Sequence, residues 1–141
     1  MIIEFKKTSS LAKLPTKNNA NDTGFDVYSV EEKTIPARSS AVVNVGLQFA
    51  YISEDIWVKV EGRSGLGFKH GILPHPGIID CGYRGDAGVK LYNLTDTDYT
   101  VNVGDRIAQF VAYPNLSVNI NERNEVVDSD RGDSGFGSSG R

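Results

Sequence analysis

The chain reads as an all-β protein, a sandwich or barrel of short strands, and three features of the sequence predict it. Apolar residues fall in short runs rich in Val, Ile, Tyr and Phe with alternating character, as in FDVYSV and DIWVKVEG. These runs are bounded by Gly, Pro, Asp or Asn, the residues that close turns. The one plausible helical turn, GRSGLGFKHG, is short and glycine-rich, and no internal repeat is visible. Short strands at this spacing, without helices to cover a parallel sheet, pack as a sandwich or close as a barrel.

Taken in order, MIIEFKK is a short strand, and LAKLPTKNNANDTG is a polar loop whose Pro and Asn residues exclude a long helix. FDVYSV alternates. SSAVVNVGLQFAYI and DIWVKVEG are strands, with Val43, Val45 and Leu47 on one face and Trp57 in the next segment. After the helical turn come ILPHPGIID, GVKLYN, DYTVNV and GDRIAQFVAY. The final stretch, NERNEVVDSDRGDSGFGSSGR, turns polar and then glycine-rich, which predicts one more ordered strand followed by a mobile tail. The chain therefore divides into a β-barrel domain over residues 1–127 and a glycine-rich arm over residues 128–141.

At 141 residues the chain is about one domain, long enough to bury a real core. A formal charge of -3 with 23% charged residues excludes a broadly basic nucleic-acid surface, so an anionic ligand would have to be held by local arginines. One cysteine excludes an internal disulfide, and two histidines, His70 and His75, offer no zinc spacing. The N-terminal MIIEFKKTSS lacks the apolar core of a signal peptide, and no stretch is long enough to span a bilayer. The expectation is a soluble intracellular protein, in the cytoplasm or a host-cell interior, with no membrane or nucleic-acid partner.

Most of the chemistry lies in residues 77–93, GIIDCGYRGDAGVKLYN. Ile78 and Ile79 are expected to bury the approach to Asp80, while Gly82 and Gly85 let the backbone turn around Tyr83 and Arg84. A carboxylate with limited hydration suits a general base on water, because its pKa rises towards working pH. An Asp beside glycines is equally a turn cap, and this stretch alone leaves both roles open. Cys81 has no partner base and reads as packing.

Four further stretches stand out: TGFDVYS around Asp26, GRSGLG around Arg63 and Ser64, GDRIAQ around Gln109, and RGDSGFGSSG at the end. In GRSG the Arg63 side chain, the Ser64 hydroxyl and the Gly65 N–H can converge on phosphate, or the segment is a plain turn. Ser64 is not a nucleophile elbow, since Leu66 stands where that motif needs Gly. Gly135, Gly137 and Gly140 spell GxGxxG, but no helix can follow them. The same tail offers Arg131, Ser138 and Ser139 to a phosphate and Phe136 to a base, or is simply flexible. Asp26, Asp80, Asp86 and Asp105 are available to a divalent cation that a polyphosphate would also ligate.

In this order and over nearly the whole chain, the five stretches resemble the five motifs of the trimeric dUTPase family. The resemblance implies a β-jelly-roll homotrimer that hydrolyses dUTP to dUMP and pyrophosphate with Mg2+, each active site being assembled from three subunits. Such an activity limits uracil incorporation into DNA and supplies dUMP for thymidylate synthesis. Carried over by position, Asp80 matches the base for the water that attacks the α-phosphorus. Tyr83 matches the ring that packs on deoxyribose and excludes a 2'-hydroxyl. The hairpin from His75 to Ile79, Gly77 included, matches the backbone reader of uracil. Asp26 matches the acid that holds the metal through a water, and Arg63, Ser64, Gly65 and Gln109 match phosphate contacts. Arg131, Phe136, Gly137, Ser138 and Ser139 match the C-terminal arm that closes over γ-phosphate and base.

The chain departs from the family's pattern at Thr23 and Phe25, where Ala and Tyr are usual, at Gly62 for Pro, at Gly67 for Ala and at Ser134 for Gly. Pro74 stands where many members carry an Asn that assists uracil recognition, which leaves a backbone-dominated or altered contact. The related dCTP deaminase needs a Glu where Lys90 stands. A third reading is a regulatory binding protein on the same fold; the intact set of catalytic positions favours the enzyme.

Overall fold

The computed structural model describes residues 1–140, which form eleven strands and one helix: β1 (Ile3–Lys7), β2 (Phe25–Tyr28), β3 (Lys33–Ile35), β4 (Ser40–Val43), β5 (Leu47–Ile52), β6 (Ile56–Glu61), α1 (Ser64–His70), β7 (Ile72–Pro74), β8 (Gly77–Ile79), β9 (Val89–Asn93), β10 (Tyr99–Val101) and β11 (Arg106–Pro114). The all-β expectation holds, and GRSGLGFKHG does form the one short helix. Every strand pairing is antiparallel. A four-stranded sheet in the order β2-β11-β6-β8 faces a three-stranded sheet, β4-β9-β7, and the pairs β1-β5 and β3-β10 complete a jelly-roll-like barrel.

The interior follows from period-two alternation. In β6, Ile56, Val58 and Val60 are buried, and Trp57 points outward to stack on Tyr113 at 4.9 Å. Val43, Val45 and Leu47 are all buried, as their alternation predicts. Phe49 packs against Phe5 and Phe110, with ring centroids 4.8 and 5.8 Å away. No helix among the described residues is long and apolar enough to cross a membrane.

One expected element is missing. The tail sequence predicts an ordered strand ahead of the glycine-rich arm, but the last strand ends at Pro114 and residues 115–140 form none. Leu116, Val118, Ile120, Val126 and Val127 are exposed instead. Alternating apolar residues make a strand only where a sheet edge receives them, and this chain brings none to that segment.

Asn93 is the buried polar node of the barrel. Its Nδ2 donates to the carbonyls of Ile35 and Thr97 at 3.0 and 2.8 Å, and its Oδ1 accepts from the N–H and hydroxyl of Thr95. It thereby ties β9 to β3 and to the turn before β10. Asn93→Ala would take the buried side-chain donor from the Ile35 carbonyl and the acceptor from the Thr95 N–H, and is expected to cost about 3 kcal/mol, read as a lower denaturation midpoint.

Candidate functional site

Strand β11 sits between β2 and β6, and its register places Gln109 opposite Asp26 on one side and Glu61 on the other. Three of the glycine-associated stretches therefore meet at one end of the sheet. Arg63 Nε donates to Asp26 Oδ1 at 2.9 Å, and a guanidinium nitrogen of Arg106 lies 3.6 Å from Oδ2. Gln109 Nε2 donates to the Gly62 carbonyl at 2.8 Å. Gly24 permits this placement, since a methyl group there would lie 1.8 Å from Gln109 Oε1. With Asn18, Thr23 and Ser64 these residues line a polar cavity of about 380 Å³. Asp22 lines it too, so its two carboxylates offset the two guanidiniums, while Arg63 and Arg106 keep further N–H donors for an anion.

Arg106 was not legible as a site residue, although it lies within the noted GDRIAQ stretch. Strict alternation would put residues 106 and 109 on opposite faces. An irregularity in the β11–β2 register between Arg106 and Ala108 turns both towards the same cavity. Gly65, expected beside Arg63 and Ser64, lines a different, adjoining cavity with Lys69, His70 and Tyr99. There burial, aided by the charge of Asp105, raises the pKa of the Tyr99 hydroxyl, which stays protonated at neutral pH.

A third cavity, of about 300 Å³, is lined by His75, Gly77, Ile79, Asp80, Tyr83 and Lys90 among others. Asp80 and Tyr83 close a backbone turn, the Tyr83 N–H donating to the Asp80 carbonyl at 3.0 Å. Arg84 wires that turn through the Cys81 and Tyr83 carbonyls at 2.8 and 2.9 Å, and Gln48 holds the Arg84 carbonyl at 2.8 Å. Among the described residues the Asp80 carboxylate has no hydrogen-bond or salt-bridge partner, so the turn is closed without it. Cys81 packs against the core, as expected.

The approach to Asp80 differs from the sequence expectation. Ile79 packs on the core, but Ile78 is 71% exposed and Asp80 itself is exposed. The cause is the pleat: β8 pairs with β6 at Gly77, Ile78 and Ile79, and alternation that turns Gly77 and Ile79 inward must turn Ile78 out. Gly85 serves a different purpose from the backbone freedom expected of it. Tyr83 folds back so closely that a methyl group at Gly85 would stand 2.2 Å from its hydroxyl, which donates to the Asp86 carbonyl at 2.9 Å. The Tyr83 ring also meets Phe49 edge-on at 5.8 Å.

The two cavities open on opposite faces of β11: Phe110, with its β6 partner Val60, lines the Asp80 cavity, and Gln109, the next residue along the strand, lines the Arg63 cavity. They share no lining residue. The arm stands apart from both. Arg131 Nε donates to the Ser134 carbonyl at 2.7 Å, and the arm's other hydrogen bonds are equally local. Phe136 is fully exposed with φ 50, and neither cavity is lined by Arg131, Phe136, Gly137, Ser138 or Ser139.

No group of three or more His, Cys, Asp or Glu side chains among the described residues is placed to hold a metal ion, so Asp26, Asp80, Asp86 and Asp105 are not brought together. Asp26 is 15% exposed with its oxygens turned to Arg63 and Arg106. With both oxygens so engaged, a cation here would reach Asp26 only through water and would take its remaining oxygens from a bound polyphosphate.

A protein-family model described as dUTPase matches residues 11–140. The deoxyuridine 5'-triphosphate nucleotidohydrolase of Clostridium acetobutylicum is 41% identical over 140 residues, covering 98% of this chain and 96% of the relative. That of Oryza sativa subsp. japonica is 40% identical over 139 residues, covering 99% of this chain and 81% of the relative. Among solved structures, the Staphylococcus bacteriophage 80alpha dUTPase with dUPNHPP superposes with a TM-score of 0.91 at 27% identity, covering 99% of both chains.

Gly85→Ala must displace the Tyr83 ring from Phe49 and from the Asp86 carbonyl. The expected outcome is a changed tyrosine near-UV circular dichroism signal and a stability loss of about 1–3 kcal/mol, with the far-UV spectrum unaltered.

Proposed function

The chain belongs to the dUTPase family and hydrolyses dUTP to dUMP and pyrophosphate, and we propose that Asp80 is its general base, Tyr83 its sugar gate and the Arg63 cavity its phosphate site. The observation that carries this reading is the free carboxylate of Asp80, on a turn whose backbone is fully wired, beside Tyr83 in a cavity of nucleoside size. In the proposed step Asp80 takes a proton from water as that water attacks the α-phosphorus. The bond from the α-phosphorus to the bridging oxygen breaks, and pyrophosphate leaves with the electron pair. Hydration of Asp80 would fall on substrate binding, since Ile78 does not shield it within one chain.

Arg63, Ser64, Gly65 and Gln109 would bind the triphosphate, with Arg106 adding positive charge. Asp26 would hold Mg2+ through a water, and the bound ion would neutralise the polyphosphate and fix its geometry. Tyr83 leaves no room for a 2'-hydroxyl where its ring packs on deoxyribose, and the outer strand β8 presents Gly77 and Ile79 to the base.

One substrate needs both cavities, yet within one chain they open on opposite faces of β11 and share no lining residue. This supports a homotrimer in which the Asp80 cavity of one copy faces the Arg63 cavity of another. The exposed Leu116, Val118 and Ile120 favour the same arrangement, because they find burial only against another copy. The arm over residues 128–141 would then close over a shared site, with Arg131, Gly137, Ser138 and Ser139 on phosphate and Phe136 over the base. The left-handed backbone of Phe136 is a conformation that only an added contact repays.

Asp80→Asn is expected to lower kcat for dUTP by roughly 10²- to 10⁴-fold with KM little changed; normal turnover by this variant sinks the mechanism. Release of pyrophosphate is expected from dUTP but not from dTTP or UTP, and to fall when Mg2+ is chelated. Deleting residues 131–141 is expected to leave a folded oligomer of unchanged size with little activity, and unfolding on truncation would contradict a catalytic role for the arm.

A further inference from the structure

We propose that His75 is a specificity-determining residue that reads the pyrimidine through an Nε2–H whose presence is set by Tyr92. The inference rests on placing the substrate's base in the cavity of Asp80 and Tyr83. His75 lies between Pro74 and Pro76, two residues with fixed φ, and its own N–H donates to the Lys90 carbonyl at 2.7 Å. Its backbone is thus held against β9. From that strand Tyr92 brings its hydroxyl to 2.9 Å from His75 Nδ1. With Nδ1 engaged by Tyr92, Nε2 is the ring nitrogen left for a ligand in the cavity that His75 lines.

The hydroxyl of Tyr92 has no other hydrogen-bond partner among the described residues, and in the proposed arrangement it donates to Nδ1. The Lys90 ammonium, 5.5 Å from the Tyr92 ring centroid, favours that polarity by pulling electron density from the phenol. A neutral imidazole that accepts at Nδ1 must carry its proton on Nε2. The cavity is thereby given a donor. Uracil presents a carbonyl at C4, which accepts that hydrogen, whereas cytosine presents an amino group whose hydrogens oppose it. His75 is exposed in the free chain, so the donor is covered only by the bound base, and one then left unpaired counts against the wrong base. Pro74 has no polar side chain to do this, and the adjacent His75 supplies it instead. Tyr92 acts as a positioning residue that selects the tautomer.

The test compares kcat/KM for dUTP with the inhibition constant of dCTP in the wild-type chain, His75→Ala, His75→Gln and Tyr92→Phe. For His75→Ala, KM for dUTP is expected to rise roughly five- to tenfold with kcat held, while dCTP binds no more weakly. Discrimination between the bases therefore falls. His75→Gln, whose amide restores a donor, is expected to recover most of it, and Tyr92→Phe to lose part by releasing the tautomer. Unchanged discrimination in a folded His75→Ala overturns the role of His75, as does an equal loss for dUTP and dCTP. Full turnover by Asp80→Asn would instead overturn the placement of the base on which the inference rests.

Discussion

The pairing of β11 with β2 on one side and β6 on the other is the constraint on which the phosphate-facing half of the site depends. Asp26, Gln109 and the start of α1 are far apart in sequence and adjacent only through that ladder. The Arg63–Asp26 contact then crosses the sheet's end, with side chains 25% and 15% exposed, so neither charge is fully solvated. Removing Asp26 strands Arg63, at a cost on the order of 3 kcal/mol, whereas removing Arg63 leaves Asp26 with Arg106. The pair is therefore as much a clamp on the end of the sheet as a feature of the cavity.

Around Asp80 the arrangement is made by backbone bonds rather than by burial. The turn is closed by Tyr83 and held by Arg84 and Gln48, which leaves the carboxylate free for chemistry. Tyr83 is positioned by the absence of a side chain at Gly85 and by the edge of Phe49, a residue of the barrel interior. The catalytic carboxylate proposed here thus inherits its position from the core, while its solvation is left to whatever binds in front of it. The two cavities share no lining residue, and the apolar tail finds no sheet of its own within the chain.

The strand content, the single short helix, the inward row of Val43, Val45 and Leu47 and the packing of Cys81 were all legible in the sequence, because each rests on local alternation and turn chemistry. So were the stretches that line the two cavities. Arg106 was missed because a register irregularity breaks the alternation that would have separated it from Gln109. Ile78 was misread because adjacent residues in a strand face opposite ways, and only the pairing of β8 with β6 decides which of the two is inside. The expected strand in the tail failed for the complementary reason: its pattern is local, but a strand exists only with a partner edge.

What the sequence by itself determined is the inventory: short alternating strands, a carboxylate and a tyrosine on a glycine corner, arginines beside small residues, and a glycine-rich end. Motifs and periodicity are properties of neighbours along the chain, and they survive without coordinates. Which groups are committed and which are free was decided only by the tertiary structure. Asp26 is engaged with two arginines while Asp80 is left unpartnered, Gly85 exists for Tyr83, and His75 meets Tyr92 across the β7–β9 pairing. Each of these is a contact set by strand register between residues that the sequence does not place together.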